Sequence, residues 1–352
     1  MDSVVVTGGA GFIGSNLIRS LLHQSNRPLW NVDKLTYAGS LESLSGLNPR
    51  GPYEFVHGDI GDRKLISNLL TQARPSTIIH LAAESHVDRA IDGPLPFVMT
   101  NVVGTCNLLE ETLNYWQSLE APQRSRFRFV HVSTDEVFGD LGPVGKFHEQ
   151  TAYDPHSPYS ASKAASDHFV RAYYHTYGLP VIVTHCSNNY GPRQFPEKLI
   201  PLMILRAVAG KSLPIYGDGS HVRDWLHVAD HCNALQVVAE RGVPGETYLI
   251  GGQCEKSNLE VVRDLCAAVK ELHPDLGHEP HQLISYEVDR PGHDRRYAVS
   301  TEKIRSELGW SPRVSFQSGI LETVKWYLEN SEWIQEVTRG ECHGHRRGLD
   351  RI

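Results

Sequence analysis

Tyr159 and Lys163 stand four residues apart, with Ser157-Pro158 just ahead of them. A serine cap and a first-turn proline predict that a helix starts there. Positions four apart then share one helical face. An ammonium on that face favours the phenolate and draws the tyrosine pKa below about 10. Such a pair can take a proton from an alcohol or sugar hydroxyl. Thr134-Asp135-Glu136 forms a second set, just past an apolar run that ends in Ser133. Two adjacent carboxyl groups suit acid–base work, one as proton donor and one as acceptor. Either set alone is common on a solvated surface. Together, and downstream of a glycine-rich start, they point to catalysis.

That start is Thr7-Gly8-Gly9-Ala10-Gly11-Phe12-Ile13-Gly14. It follows a β-branched run and opens an amphipathic one. Glycines there allow a tight turn and close backbone approach to a pyrophosphate, whose charge the free N–H groups of the helix start then bind. Asp33 ends the second apolar run. A carboxylate at that place accepts from a ribose 2′-OH and repels a 2′-phosphate, which favours NAD over NADP; Lys34 beside it works the other way. Asp59, ending the third run, either reaches the adenine or caps its own loop.

These residues need elements to hold them. Candidate strands at 3–7, 28–33, 53–58, 77–82, 127–133 and 180–186 are nearly continuous in apolar character, as strands covered on both faces are. Helical patterns at 12–24, 62–73, 96–116 and 160–177 alternate with them. The alternation predicts an α/β fold: a Rossmann-like, doubly wound parallel sheet whose functional loops sit at the carboxyl ends of the strands. Residues 1–187 read as the NAD-binding domain. Residues 188–330 read mostly as a smaller α/β substrate-binding lobe, from which about 230–251 could return to the large sheet, and 331–352 as a polar tail.

The chain has 352 residues, 40% apolar and 21% charged, with a net charge of −7. That balance argues against disorder and against a general affinity for nucleic acid or anionic lipid. The best apolar run, 199–209, is interrupted by Arg206, so no membrane span is expected. Six cysteines at 106, 186, 232, 254, 266 and 342 show no C-x-x-C spacing. Neither a metal nor a redox motif follows, and a reducing, cytoplasmic setting is expected. Cys342-His343-Gly344-His345 is read as part of a frayed tail rather than a metal site.

With these residues in view, the chain resembles the extended short-chain dehydrogenase/reductase family, and within it the 4,6-dehydratases of dTDP-glucose. The likeness is carried by TGGAGFIGS (7–15), NVDKLTYAGS (31–40), HLAAESHVDRAI (80–91), TNVVGT (100–105), STDEVFGDL (133–141), SPYSASKAASDH (157–168), CSNNYGPRQFPEKLIPL (186–202), VRDWLHVADH (222–231) and DRPGHDRRYA (289–298). It runs from residue 3 to about 330. The resemblance implies NAD as cofactor, a nucleotide sugar as substrate and a homodimer. It implies that the sugar C4 hydroxyl is oxidised first, with Tyr159 as base, Lys163 as its partner and Thr134 donating to O4. The C5 proton is acidic only beside a C4 ketone; Glu136 would remove it and Asp135 would protonate the departing C6 hydroxyl. Hydride return to C6 then gives a 4-keto-6-deoxy sugar nucleotide.

By the same resemblance the cofactor is held by Gly8, Gly11, Phe12, Ile13, Gly14, Asp33, Lys34, Leu35, Thr36, Asp59, Ile60, Leu81, Ala82, Ala83, Glu84, Ser85, Thr100, Asn189 and the Tyr159–Lys163 pair. The sugar nucleotide is met by Ser85, Thr134, Asn188, Lys198, Leu199, Pro214, Ile215, Tyr216, Arg223, Asn258, Asp289, Arg290, Pro291, Gly292 and His293. Arg223 and Arg290 suit a diphosphate, since a guanidinium fork binds it with two hydrogen bonds. Tyr216 could lie beside a flat base. Phe138 departs from the tyrosine many relatives carry, which removes one hydroxyl near the acid pair. A 4,6-dehydratase of UDP- or CDP-glucose and a nucleotide-sugar 4-epimerase remain open as alternatives. The epimerase needs no C6 proton donor, so Asp135-Glu136 weighs against it. A non-catalytic NAD-binding scaffold would need the glycines but not the four acid–base groups.

Overall fold

The computed structural model describes residues 2–339. Along them run β1 (Ser3–Thr7), β2 (Leu29–Asp33), β3 (Tyr53–His57), β4 (Pro75–His80), β5 (Arg128–Thr134), β6 (Val181–Cys186), β7 (Asn188–Tyr190), β8 (Leu213–Tyr216), β9 (Val222–His227), β10 (Thr247–Ile250), β11 (Glu255–Ser257) and β12 (Ile284–Glu287). Seven of them form one parallel sheet in the order β3-β2-β1-β4-β5-β6-β10. This is the Rossmann-like fold expected. The order reverses between β1 and β4, and a doubly wound sheet opens its ligand crevice at such a switch point.

The near-continuous apolar strands follow from cover on both faces. Val4 and Val6 of β1 pack in one core with Leu17, Ile18 and Leu235, from the helices Phe12–Gln24 and Val228–Arg241. Val5 points the other way, into a core with Ile66, Leu108 and Val170 from the helices Arg63–Ala73, Thr105–Ser118 and Pro158–Tyr177. Alternate residues of a strand face opposite sides, so both faces must be apolar. Burying each such side chain is worth about 1.5–3 kcal/mol.

The helical pattern at 96–116 is not one α-helix. A wide π segment, Val98–Gly104, joins Leu95–Phe97 to Thr105–Ser118. Such segments recur at functional sites. Here it carries Asn101, whose side chain binds the Glu84 backbone N–H at 2.8 Å, the Glu84 carbonyl at 3.0 Å and Ser162 Oγ at 2.9 Å. It thereby pins the loop after β4 to the helix bearing Tyr159.

The remaining strands build a second, smaller unit. β7, β9 and β11 form one sheet and β8 with β12 another. The helices Leu199–Val208, Asn258–Leu272 and Phe316–Glu329 close a core around Met203, Ile204, Leu265 and Val324. The polar tail expected from residue 331 needs correction. Ser331–Val337 is a helix, because Trp333 is buried against Trp326 and donates to Ser43 Oγ at 3.2 Å. Cys342, His343 and His345 lie outside the described residues.

Candidate active site

The glycine turn leads from β1 into the helix Phe12–Gln24. Gly11 caps that helix without a side-chain bond, so its first-turn N–H groups face the crevice. Gly8 has φ +74°, and a Cβ on it would stand 2.6 Å from the Ala82 nitrogen; one on Gly14 would stand 2.1 Å from the Gly8 oxygen. Only glycine fits this turn at either place, packed as it is against the loop after β4 and against its own backbone. Asp33 Oδ2 accepts from Ala10 N and Oδ1 from Leu35 N, each at 2.8 Å, and burial raises its pKa. Asp59 caps its own loop, accepting from Gly61 N at 2.8 Å, and pairs with Lys34 at 2.6 Å. Burial opposes the charge on Asp59, but the Lys34 hydrogen bond brings its pKa below the usual value. This cradle fits a dinucleotide.

At the other end of the crevice β5 stops at Thr134, and the turn Asp135–Phe138 follows. The helix Pro158–Tyr177 starts beside it behind a capping box made by Ser157 and Ser160. Thr134, Asp135, Glu136, Tyr159 and Lys163 all line the crevice with the glycine turn. The Tyr159 pKa is not lowered. Burial drives it well above 10, the Glu136 charge adds to this, and a hydrogen bond from Thr134 opposes it. Lys163 turns its ammonium to the Val132 carbonyl at 2.9 Å, so burial dominates at the phenol.

The two carboxyl groups sit in different fields. Asp135 is 1% exposed and its Oδ2 has no partner. Burial, then Glu136 and Asp224, push its pKa well up, which favours the protonated form. Burial also raises Glu136, but Arg290, Arg223 and Lys198 pull it back. Both shifts are upward, and the cations around Glu136 bias it towards the base and Asp135 towards the acid.

Of the other expected residues, Phe12, Ile13, Lys34, Thr36, Ile60, the 81–85 run, Thr100, Asn188, Asn189 and Lys198 line the crevice, whereas Leu35 and Leu199 do not. Arg223 is buried in β9, donating to the Asp294 carbonyl at 2.8 Å, and Arg290 pairs with Asp88 at 3.3 Å. Tyr216 also reaches Asp88, at 3.3 Å, and meets His293 edge-on. Asp289 lies 2.6 Å from His293 Nδ1 and 3.2 Å from His221 Nε2. Pro214 and Ile215 are buried in the second unit, Asn258 opens a helix, and Pro291 and Gly292 are exposed.

Comparison with known proteins agrees with this geometry. The GDP-mannose 4,6 dehydratase family model matches residues 5–323. The chain is 53% identical over 358 residues to a dTDP-glucose 4,6-dehydratase of Escherichia coli, covering 98% of this chain and 99% of that protein. The chain belongs to the dTDP-glucose 4,6-dehydratase family. A solved family member from Bacillus anthracis, in complex with NAD, superposes with a TM-score of 0.85 at 45% identity, covering 96% of this chain and 100% of that one. Another, DesIV from Streptomyces venezuelae with NAD and TYD bound, gives 0.85 at 43% identity, covering 95% and 99%.

Within this family member the crevice also holds residues that sequence reasoning passed over. Ser133, Cys186, Gln194, Phe195 and Glu197 line it. The Tyr37 phenol donates to Glu197 Oε1 at 2.8 Å, linking the loop after β2 to the loop before the helix Leu199–Val208. Behind the crevice Asp167, fully buried, takes Ser133 Oγ at 2.9 Å, Tyr153 OH at 2.9 Å, His131 Nε2 at 3.1 Å and His185 Nε2 at 2.9 Å. A signal for this network was present, because His131 and His185 each stand within a largely apolar strand.

Proposed function

We propose that this chain dehydrates dTDP-glucose to dTDP-4-keto-6-deoxy-glucose, as an NAD-dependent hydro-lyase. The observation that carries the reading is the meeting of Tyr159, Thr134, Asp135 and Glu136 in one crevice with the glycine cradle. The glycine turn, Asp33 and the 81–85 loop would hold NAD⁺, which would supply the hydride acceptor for C4 and, reduced, the hydride donor for C6. Tyr159 takes the O4 proton as its phenolate, a form that burial opposes in the structure and that the positive charge of the bound nicotinamide would favour. Glu136, beside three cations, removes the C5 proton once a ketone stands at C4. Asp135, holding its proton, gives it to the leaving C6 hydroxyl. Glu136 then returns its proton to C5. The 4-epimerase has no use for the second carboxyl, and a scaffold has no use for any of the four.

Gly8, Gly11, Gly14, Asp33 and the 81–85 loop are the proposed cofactor contacts, and Ser85, Asn188 and Lys198 the proposed sugar contacts. Arg223 and Arg290 add positive charge close to Glu136. The proposed division assigns 1–187 and the 230–251 return to NAD and most of 188–330 to the sugar nucleotide.

A homodimer and a cytoplasmic setting complete the reading. Leu95, Val98, Met99 and Val103 are exposed on one helical run, and Phe169 and Tyr177 on the helix Pro158–Tyr177. An apolar surface of this kind favours a second copy of the chain. No helix among the described residues is long and apolar enough to cross a membrane. Cys106, Cys186, Cys232, Cys254 and Cys266 are free thiols, as a reducing compartment would keep them.

Incubation with dTDP-glucose, UDP-glucose and CDP-glucose in parallel tests the reading. A product lighter by one water, formed fastest from dTDP-glucose, is expected. Recovery of unchanged sugar or of the C4 epimer would overturn it.

A further inference from the structure

His156 stands three residues ahead of Tyr159, and both of its ring nitrogens face carboxylates. Nδ1 lies 2.5 Å from Asp294 Oδ1, and Nε2 lies 3.3 Å from Asp154 Oδ2. A neutral imidazole has one N–H and one lone pair, so it can satisfy only one of the two. The imidazolium donates to both, and its charge answers theirs. The Asp294 hydrogen bond accordingly raises the His156 pKa above the ordinary 6.5.

Asp294 is the buried partner of the two. Its Oδ2 accepts from the Tyr297 hydroxyl, and its carbonyl accepts from Arg223 at 2.8 Å. The Arg223 guanidinium lies over the Tyr297 ring, 4.3 Å from its centre. Asp140 Oδ1 holds the next stretch, accepting from the Arg295 and Arg296 backbone N–H groups at 2.7 and 2.9 Å. The 289–296 segment, which carries Arg290 and His293, thus crosses the start of the Tyr159 helix. A Cβ on Gly292 would stand 3.1 Å from the His156 oxygen. The charged groups that act on His156 are Asp154, just ahead of it in the chain, and Asp294 on the segment, with Arg223 and Tyr297 behind Asp294.

We propose that His156, as an imidazolium shared between Asp154 and Asp294, is a positioning residue that clasps the 289–296 segment to the Tyr159 helix and so sets the affinity for the diphosphate of the sugar nucleotide. This rests on the dehydratase reading, in which Arg290 and His293 meet the substrate. With the clasp closed, the cations of the segment are in place before the diphosphate arrives, and binding does not have to order them. As pH rises, His156 loses its proton, one of its two bonds is lost and the segment loosens. A bound diphosphate holds the segment by itself, so the loss falls on KM and leaves kcat unchanged. His293 and His221 do not supply this pH dependence, because burial lowers both of their pKa values and they titrate below the range of His156.

Steady-state kinetics of NAD-loaded protein with dTDP-glucose, from about pH 6 to about pH 9, test the clasp. His156→Gln keeps one hydrogen-bonding group and removes the titration. Its KM is expected to exceed the native value about ten-fold at the acid end, the scale of one charge-assisted hydrogen bond. The two KM values are expected to converge at the alkaline end, with the ratio of kcat values near one throughout. Equal KM values at the acid end, or a KM ratio that stays constant with pH, would overturn the clasp. If His156→Gln forms no product, calorimetry of dTDP binding to native NAD-loaded protein decides, run at about pH 8 in two buffers of different ionisation enthalpy. Proton uptake on binding is expected, because a ligand that favours the clasped form is in turn favoured by the proton that closes it. Binding without proton uptake would overturn the clasp. Failure of native protein to form any product would instead remove the dehydratase reading itself.

Discussion

Asp167 Oδ2 accepts a 2.9 Å hydrogen bond from Ser133 Oγ. It ties the helix that carries Tyr159 and Lys163 to the strand that ends in Thr134. The acid–base groups therefore share one buried anchor, one helical turn beyond Lys163.

Removing that anchor is expected to destabilise the fold strongly. Asp167→Ala would leave Ser133, His131, Tyr153 and His185 without their common acceptor in the interior. A loss of about 3 kcal/mol or more is expected, since breaking a buried charged network strands its partners. Urea unfolding of native and variant protein checks it; a midpoint shift equivalent to less than about 1 kcal/mol, the worth of one ordinary hydrogen bond, would count against the anchor.

The same network contributes to the acid stability, alongside other histidines whose pKa values burial lowers, such as His86, His231 and His293. Burial, helped by the nearby Lys163 charge, lowers the folded pKa of His131 to about 4. In the unfolded chain histidine titrates near 6.5, so between those values the unfolded state binds the proton and the folded state does not. Stability falls as pH drops through that window, by up to about 1.4 kcal/mol per pH unit. Asp167 acts at still lower pH. Burial opposes its charge, yet the His131 and His185 hydrogen bonds hold its pKa below the usual carboxylate range. Its contribution is present above about pH 4 and lost below. Urea midpoints at a series of pH values should decline steadily from pH 6.5 to 4, and less steeply in His131→Gln. A flat profile would refute this.

Gly14→Ala is expected to weaken cofactor binding. The new Cβ would meet the Gly8 oxygen at 2.1 Å, a backbone atom that moves only with the whole turn. Borne by the cofactor-binding turn, overpacking of about 1–3 kcal/mol lowers affinity by about five- to 150-fold. Fluorescence titration with NADH reads it, and native affinity in the variant would contradict the cradle.

The apolar surface at Met99 and Phe169 is expected to join two copies of the chain. Met99→Glu combined with Phe169→Glu puts two charges into that surface, where burial without partners is costly. Sedimentation velocity should show a dimer for the native chain and a monomer for the variant. Identical sedimentation of the two would place the dimer contact elsewhere or remove it.

The large sheet and most of the crevice were legible because their signals are local. Apolar runs mark β1 to β6, the glycine turn follows β1, and Ser157-Pro158 fixes where the Tyr159 helix begins. The smaller unit was not legible for the opposite reason. β7 and β11 have three residues each and pair with β9 across long stretches of chain, so nothing in their own sequence marks them. Trp333 shows the same limit, since one buried indole among polar neighbours orders a helix that reads as tail. The direction of the Tyr159 shift was missed because spacing reveals the Lys163 charge but not the burial that outweighs it.

Glu136→Gln tests the centre of the account most directly. The variant keeps the size of the side chain and removes its ability to accept the C5 proton. Mixed with NAD⁺ and dTDP-glucose in a stopped-flow cell, it should still reduce the bound cofactor, with NADH absorbance rising and persisting while no dehydrated sugar forms. Dehydrated product at the native rate would show that Glu136 does not remove the C5 proton.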